Sequence, residues 1–498
     1  MEKPNAVRIH PTDNVVVAVR PLAPGDVVEV AGERLVLEEE VPAGHKIALR
    51  ALEPGEPVVK YGFEIGRVTE RVERARWIHS HNLKTALDGV LEYQYQPTER
   101  PSTHTSPVPT FQGYQRADGR VATRNEVWII NTVGCVNTAA ERISRLASER
   151  FAGRIDGVHA FSHPYGCSQL GDDLTQTQRV LAGLIRHPNA GGVLVLGLGC
   201  ENNQMASLLA QAGEIDQERL RFFNSQDVMD EVEEGLEAIE ELVRVMEKDR
   251  RVECSASDLV IGGKCGGSDG FSGISANPLV GRIADRVTGM GGRFILTEVP
   301  EMFGAEQVLL NRAVDEGVFG SIVRMVNDFK DYFIRHGQPI YENPSPGNKA
   351  GGLTTLEEKS LGAIQKGGRA TITDVLRYGE PVRKPGLSLL ESPGNDAVSS
   401  TAMVVSGATL LLFTTGRGTP LGFPVPTLKI ATNTPISELK PHWIDFNAGT
   451  LLDGGATFEE LTDRLFALVL DVASGRELAN NEKHGYREIA IWKDGVTL

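Results

Sequence analysis

Cysteine is scarce in this chain: five in 498 residues, an odd number, with none in a C-x-x-C pair. That argues against a secreted disulfide framework and against a structural zinc site. Long apolar runs are missing too. No stretch approaches the ~18 residues that span a bilayer, and the start Met1-Glu2-Lys3-Pro4-Asn5 has no apolar signal-peptide core. Positive charge is in deficit, with 51 Lys and Arg against 66 Asp and Glu and a formal net charge of −15. Neither nucleic acid nor an anionic membrane surface is therefore an expected partner. The glycine-rich segments match no Walker loop and no G-x-G-x-x-G fingerprint, so nucleotide binding has no support. These absences leave a cytoplasmic enzyme acting on a small molecule as the simplest class.

The length suggests two or three domains. Residues 1–90 carry short β-rich runs, among them Val15-Val16-Val17-Ala18-Val19 and Arg34-Leu35-Val36-Leu37, cut by Pro21, Pro24-Gly25, Gly32 and Pro54-Gly55. Short strands at close spacing predict a small all-β module. Residues 91–118 mix Pro, Ser, Thr and Gln, including Ser102, Thr103 and Ser106, and read as an extended linker. From residue 119 strand and helix patterns alternate, which predicts parallel α/β architecture. Helices are expected at 137–150 and 227–248, and strands at 293–298, 409–414 and 427–431. The division is then 119–250 and 251–498.

The densest chemistry lies in Lys264-Cys265-Gly266-Gly267-Ser268-Asp269-Gly270, after the apolar run Leu259-Val260-Ile261-Gly262. Glycine after a strand lets backbone N–H groups approach an anion and lets several side chains point at one spot. The bland alternative is a glycine-rich turn with an uninvolved cysteine. Repetition weighs against it. Cys135, Cys167 and Cys200 each also follow a β-prone run that ends in glycine. In open α/β sheets ligands bind beyond the carboxyl ends of the strands, so four of the five cysteines occupy candidate binding positions; Cys254 does not.

Other candidates follow. His79 and His81, two apart, share one face if they sit in a strand, and with Trp77 and Lys84 they would form a lid; the bland reading is a polar strand end. His45-Lys46 is a weaker signal. His163-Pro164-Tyr165-Gly166-Cys167 packs an imidazole, a phenol and a thiol beyond a strand, with Asp172 and Asp173 as expected caps of the next helix. Gly199-Cys200-Glu201-Asn202-Asn203-Gln204 is similar, with Glu201 a ligand or a first-turn residue. Glu298 and Glu301 suit a divalent cation or an acid–base pair. Gly394-Asn395-Asp396 and Gly416-Arg417-Gly418 complete the set, and Arg417 suits a carboxylate or phosphate.

Taken together, these segments resemble the altronate/galactarate dehydratase family, essentially from end to end. The matching blocks include Ile9-His10-Pro11-Thr12-Asp13-Asn14-Val15, Ala43-Gly44-His45-Lys46, Ile78-His79-Ser80-His81-Asn82, Cys265-Gly266-Gly267-Ser268-Asp269-Gly270, Thr297-Glu298-Val299-Pro300-Glu301 and Phe413-Thr414-Thr415-Gly416-Arg417-Gly418. The block Asn343-Pro344-Ser345-Pro346-Gly347-Asn348-Lys349-Ala350-Gly351-Gly352 and the ending Asp494-Gly495-Val496-Thr497-Leu498 are similar to the altronate branch. Pro164 departs from a familiar Thr, and Lys264 from a frequent acid. The resemblance implies an N-terminal β-clip (SAF-like) domain, a linker, a second α/β section used in homodimerisation, and a C-terminal Rossmann-like metal domain. It implies iron(II), with manganese assisting, and loss of water from D-altronate to give 2-dehydro-3-deoxy-D-gluconate in hexuronate catabolism.

On that reading Cys265, Asp269, Glu298 and His163 surround the metal, whose mixed N, O and S donors suit iron(II). His79, His81, His163 and Glu301 serve catalysis, and Arg417, Ser268, Asn395, Asp396 and Gln204 hold substrate. Galactarate or another sugar acid, or a sulfo-lyase reaction, is the rival enzyme reading. A non-catalytic sugar-acid sensor is the rival of another class.

Overall fold

A computed structural model describes residues 4–30, 32–87, 91–101 and 107–497. The N-terminal part is all-β, as its patterning predicts. Ala6–Val7, Val15–Ala18, Lys46–Ala48 and Trp77–Ile78 form one antiparallel sheet. Val27–Val30 and Glu33–Val36 make a hairpin, and Pro57–Lys60, Phe63–Val68 and Leu83–Lys84 make a third small sheet.

The linker expected over 91–118 ends sooner than its composition suggests; its residues 102–106 lie outside the described residues. Thr110–Gln115 is a strand paired antiparallel to Val252–Ser255. Its Phe111 is buried, whereas the Pro/Ser/Thr content of the stretch hides that alternation. Upstream, Tyr95 Oη donates to the carbonyl of Ala313 (2.9 Å) and Thr98 N to that of Asn311 (2.8 Å), which ties the segment to the C-terminal part.

Two parallel sheets follow. The first has the order Gly157–Phe161, Glu126–Asn131, Ala190–Gly197, Leu220–Asn224. The helix expected at 137–150 spans Asn137–Arg150. The one expected at 227–248 starts later, at Glu231–Met246, because Asp230 caps it by accepting from the N–H groups of Val232 and Glu233. The second sheet has seven parallel strands, in the order Ile372–Leu376, Gly386–Leu390, Arg293–Leu296, Val260–Cys265, Leu410–Thr415, Thr427–Ala431, Phe446–Asn447. Val260–Cys265 is central and nearly wholly buried. The chain builds outward first on one side of it and then on the other, so its carboxyl end is a topological switch point. Among the described residues no helix is long and apolar enough to cross a membrane.

Candidate active site

Cys265 is the last residue of the central strand, not the first residue beyond it. Around its thiol lie three carboxylates and three ammonium groups. Glu298, at the end of the neighbouring strand, has a left-handed backbone (φ 72°, ψ 57°). Such a conformation is costly for a non-glycine residue and marks a constrained position. Here it turns the carboxylate back over the strand ends, where Lys264 and Lys366 (2.8 Å) clasp it. Lys264 also pairs with Asp396 (2.8 Å), and Lys359 with Glu301 (2.8 Å). Lys366 Nζ is 2.7 Å from Cys265 Sγ, and that thiol donates in turn to Glu301 Oε2 at 3.2 Å.

The electrostatics follow from this packing. Burial, and then the charges of Glu298 and Glu301, push the Cys265 thiol up to about 12, against the pull of Lys366 and Lys264. Cys265 is therefore a protonated thiol at neutral pH. Burial would raise Glu301, yet Lys359, Lys264 and Lys366 outweigh it and hold the carboxyl well below its usual range. The only partly open member is Asp396, whose side chain is 36% exposed.

A short path joins this cluster to the N-terminal module. Lys359 Nζ donates to Asn348 Oδ1 (3.1 Å), and Asn348 Nδ2 donates to the Ser268 carbonyl (2.8 Å). Two residues on, Gly270 meets Gly44 so closely that a Cβ on Gly270 would lie 2.1 Å from the Gly44 oxygen. His45 follows Gly44. Its Nε2 faces the Ala350 carbonyl at 3.4 Å and its Nδ1 accepts from Trp77 Nε1 at 3.1 Å. The His79 ring is 4.7 Å from that of His45 and stacks on Trp77. His79 Nδ1 is buried and has no hydrogen-bond partner. Burial, then Lys46, pushes His79 down to about 4, so its imidazole is neutral at pH 7.

Beneath these rings, Glu358 accepts from Lys46 (2.9 Å) and Lys60 (2.7 Å), and all three side chains are fully buried. This triad fastens the module to the C-terminal part.

Several expectations are thereby corrected. His79 and His81 do not share a strand face: the strand stops at Ile78, and both rings pack on Trp77 from the following turn. His163 does not join Cys265. It lies in the loop after the strand Gly157–Phe161 of the first parallel sheet, where Nε2 engages the Asn131 carbonyl (2.9 Å) and Nδ1 accepts from Tyr165 N (3.2 Å), so both ring nitrogens are taken by backbone. Asp269 is also committed elsewhere, accepting from Thr432, Ser272, Asn433 and the Phe271 N–H. Gln204 donates to the carbonyls of Gly199 and Glu201, away from the cluster.

Asn395 caps the helix Asp396–Val405, which aims Asp396 at Lys264. Ser268 is buried and contributes its carbonyl. Arg417 is exposed beside Gly267. Asp173 is no cap: its carboxylate accepts from the N–H groups of Asp494 and Gly495. Glu201 lies before the helix Met205–Ala212, not in its first turn. Sequence reading missed Lys359 and Lys366 because they arrive from a buried helix and turn some hundred residues away, with no motif of their own; only the absence of an apolar stripe in Leu356–Ala363 hints at a polar interior.

Three family models cover nearly all of the chain. They are described as the altronate/galactarate dehydratase SAF domain (residues 4–86), the second domain of D-galactarate dehydratase/altronate hydrolase (113–247) and the C-terminal D-galactarate/altronate dehydratase domain (256–497). An altronate dehydratase of Bacillus subtilis is 48% identical over 99% of both chains. The chain belongs to the altronate/galactarate dehydratase family. An altronate dehydratase of Escherichia coli is 49% identical over 99% of both chains, and a galactarate dehydratase (L-threo-forming) of the same organism is 33% identical over 99% of this chain and 97% of its own.

For this member, the iron(II) expected at the C-terminal cluster meets a difficulty. Cys265, Glu298 and Glu301 do place a sulfur and two carboxylate oxygens within 4.8 Å of one another. Yet the same atoms are held by Lys264, Lys366 and Lys359, and three carboxylates already balance three ammonium groups. A resident ion bonded at ~2.0–2.3 Å would press against those ammonium groups. As built, this donor set does not fit a resident divalent cation.

Proposed function

We propose that the chain is a hydro-lyase that removes water from D-altronate and gives 2-dehydro-3-deoxy-D-gluconate. The observation that carries this reading is the end-to-end likeness, 48–49%, to proteins named altronate dehydratase, against 33% to one named galactarate dehydratase. The geometry supports the chemistry. A proton beside a carboxylate is weakly acidic, and the enediolate left behind needs fixed positive donors in a dry place. Lys359, Lys366 and Lys264 are such donors, preorganised by Glu301, Glu298 and Asp396. Arg417, exposed beside Gly267, binds the substrate carboxylate. His79, neutral with a free Nδ1, moves a proton at the mouth. The homodimer and the cytoplasmic setting belong to the same proposal.

The test is direct. Anaerobically purified protein, with reductant, is offered D-altronate and galactarate, and the keto product is measured. Turnover of galactarate but not altronate would move the substrate, and turnover of neither would leave the sugar-acid sensor.

A further inference from the structure

The three exposed cysteines of the chain, Cys135, Cys167 and Cys200, stand together in the fold, while Cys254 and Cys265 are buried. They follow three neighbouring strands of the first parallel sheet, Glu126–Asn131, Gly157–Phe161 and Ala190–Gly197, at its own switch point. Their loops are stitched to one another. Gly166, before Cys167, crosses so close to the first loop that a Cβ would lie 2.0 Å from the Thr132 oxygen. Its carbonyl accepts from Asn203 N (2.9 Å), and Gly134 N donates to the Tyr165 carbonyl (2.9 Å). Glu201 locks the first and third loops, accepting from Thr132 Oγ1 and from Gly199 N (2.6 Å).

Three further observations single the place out. Ser168 holds a left-handed backbone (φ 58°). Ser168 Oγ and Gln226 Nε2 donate to the sulfurs of Cys167 (3.8 Å) and Cys200 (3.6 Å), the kind of contact that tunes a ligating thiolate. The amide oxygens of Asn131 and Asn203, fully buried beneath these loops, have no hydrogen-bond partner.

We propose that Cys135, Cys167 and Cys200 ligate a cubane iron–sulfur cluster through three thiolates, with one iron left open toward solvent and a hydroxy acid. Two features choose a cluster over a single ion. Among the described residues the only three-donor group within 4.8 Å is the one at Cys265, so these sulfurs are spread wider than the ~3.8 Å of a tetrahedral single-ion site. Thiolates on a cubane bind different irons and so stand farther apart than thiolates on one ion. Moreover, no fourth donor is at hand among the described residues: His163 and Glu201 are held by backbone groups. Each thiol gives up its proton on ligation, and neither the thiolates nor the sulfide change oxidation level; the only redox change is at iron.

The experiment reads metal, not turnover, so it stands apart from the altronate reading. The full chain is reconstituted anaerobically with ferric iron, sulfide and dithiothreitol, the thiol supplying the two electrons that take four ferric ions to the 2+ cubane, and is then desalted. Wild type, C135S, C167S, C200S, C254S and C265S are compared for iron, acid-labile sulfide, visible absorption and thermal unfolding. The wild type should hold about four iron and four sulfide per chain. Each of the three exposed-site variants should fall to background sulfide while unfolding at the midpoint of the metal-free wild type, and C254S and C265S should keep the wild-type content. Wild type without sulfide, iron bound without sulfide, or full sulfide in the C135S/C167S/C200S triple variant would each overturn the assignment.

Discussion

Glu358→Gln is the perturbation that tests how the N-terminal module is held. Glu358 receives Lys46, Lys60, Thr354 N and Thr354 Oγ1, all inside a dry interface. Burial would raise its pKa, but Lys46 and Lys60 outweigh that and keep it charged. Removing one partner of a buried pair costs ~3–5 kcal/mol, because the other charge stays behind. Here two ammonium groups stay behind, so the upper end, ~5 kcal/mol, is expected. For the C-terminal domain that carries Glu358, residues 256–497, that lowers the unfolding midpoint by ~10–20 °C.

The pH dependence follows from Lys46, which burial pushes down to about 8 even beside Glu358. A folded pKa below the ordinary 10.5 means that the unfolded chain binds the extra proton between them. Stability from this group therefore rises with pH across that window, and the variant extends the window downward to neutrality. The loss should be larger at pH 7 than at pH 10 by calorimetry. Replacing all three members with apolar side chains of similar volume (K46M/K60M/E358L) should recover most of it. A loss under ~1 kcal/mol, or one independent of pH, would show that water or another anion reaches these lysines.

Other outcomes follow from the same geometry. Iodoacetamide at pH 7.5 should label Cys135, Cys167 and Cys200 in the metal-free chain and leave Cys265 unmodified, as read by peptide mass spectrometry, because Cys265 is buried with its thiol pushed up to about 12. His79→Ala should lower kcat by ~10²-fold or more with an unchanged unfolding midpoint, whereas His81→Ala, exposed on Trp77, should cost less than about tenfold. Arg417→Ala should raise KM for altronate and change stability by less than ~0.5 kcal/mol, since the side chain is exposed. Lys359→Met strands Glu301 in the interior and should cost both activity and ~3 kcal/mol of stability.

The parts of the fold that the sequence announces are those whose signal is local. Val15-Val16-Val17-Ala18 is punctuated by turns and forms a strand; Thr427–Ala431 and Asn137–Arg150 appear where their apolar spacing puts them. The strand end at Cys265 is legible for the same reason: glycine and polar residues after an apolar run. What is not legible is which strand ends face each other. His163 and Cys265 carry like signals, but they close different sheets, and sheet membership is set by long-range pairing that no local pattern records. Nor does spacing reveal a counter-ion. Glu298 and Glu301 look like free ligands in the sequence because Lys359 and Lys366 arrive from residues 356–367.

The difference has a physical reason in this family member. A thiol, two carboxylates and a glycine-rich turn describe a metal site only while nothing else neutralises the carboxylates. Three buried lysines do so here, and they raise the cost of both removing a carboxylate and adding a cation. The strand ends at Cys135, Cys167 and Cys200 have the opposite character: among the described residues no lysine pairs with these thiols, all three stay open to solvent, and hydroxyl and amide donors face two of them. Of the two switch points, the C-terminal one gathers buried ammonium groups, which on the proposed reaction hold the negative charge that develops on the substrate. The one in the first sheet presents three open thiols, as the proposed soft metal centre requires, and the iodoacetamide pattern separates the two before any metal is added.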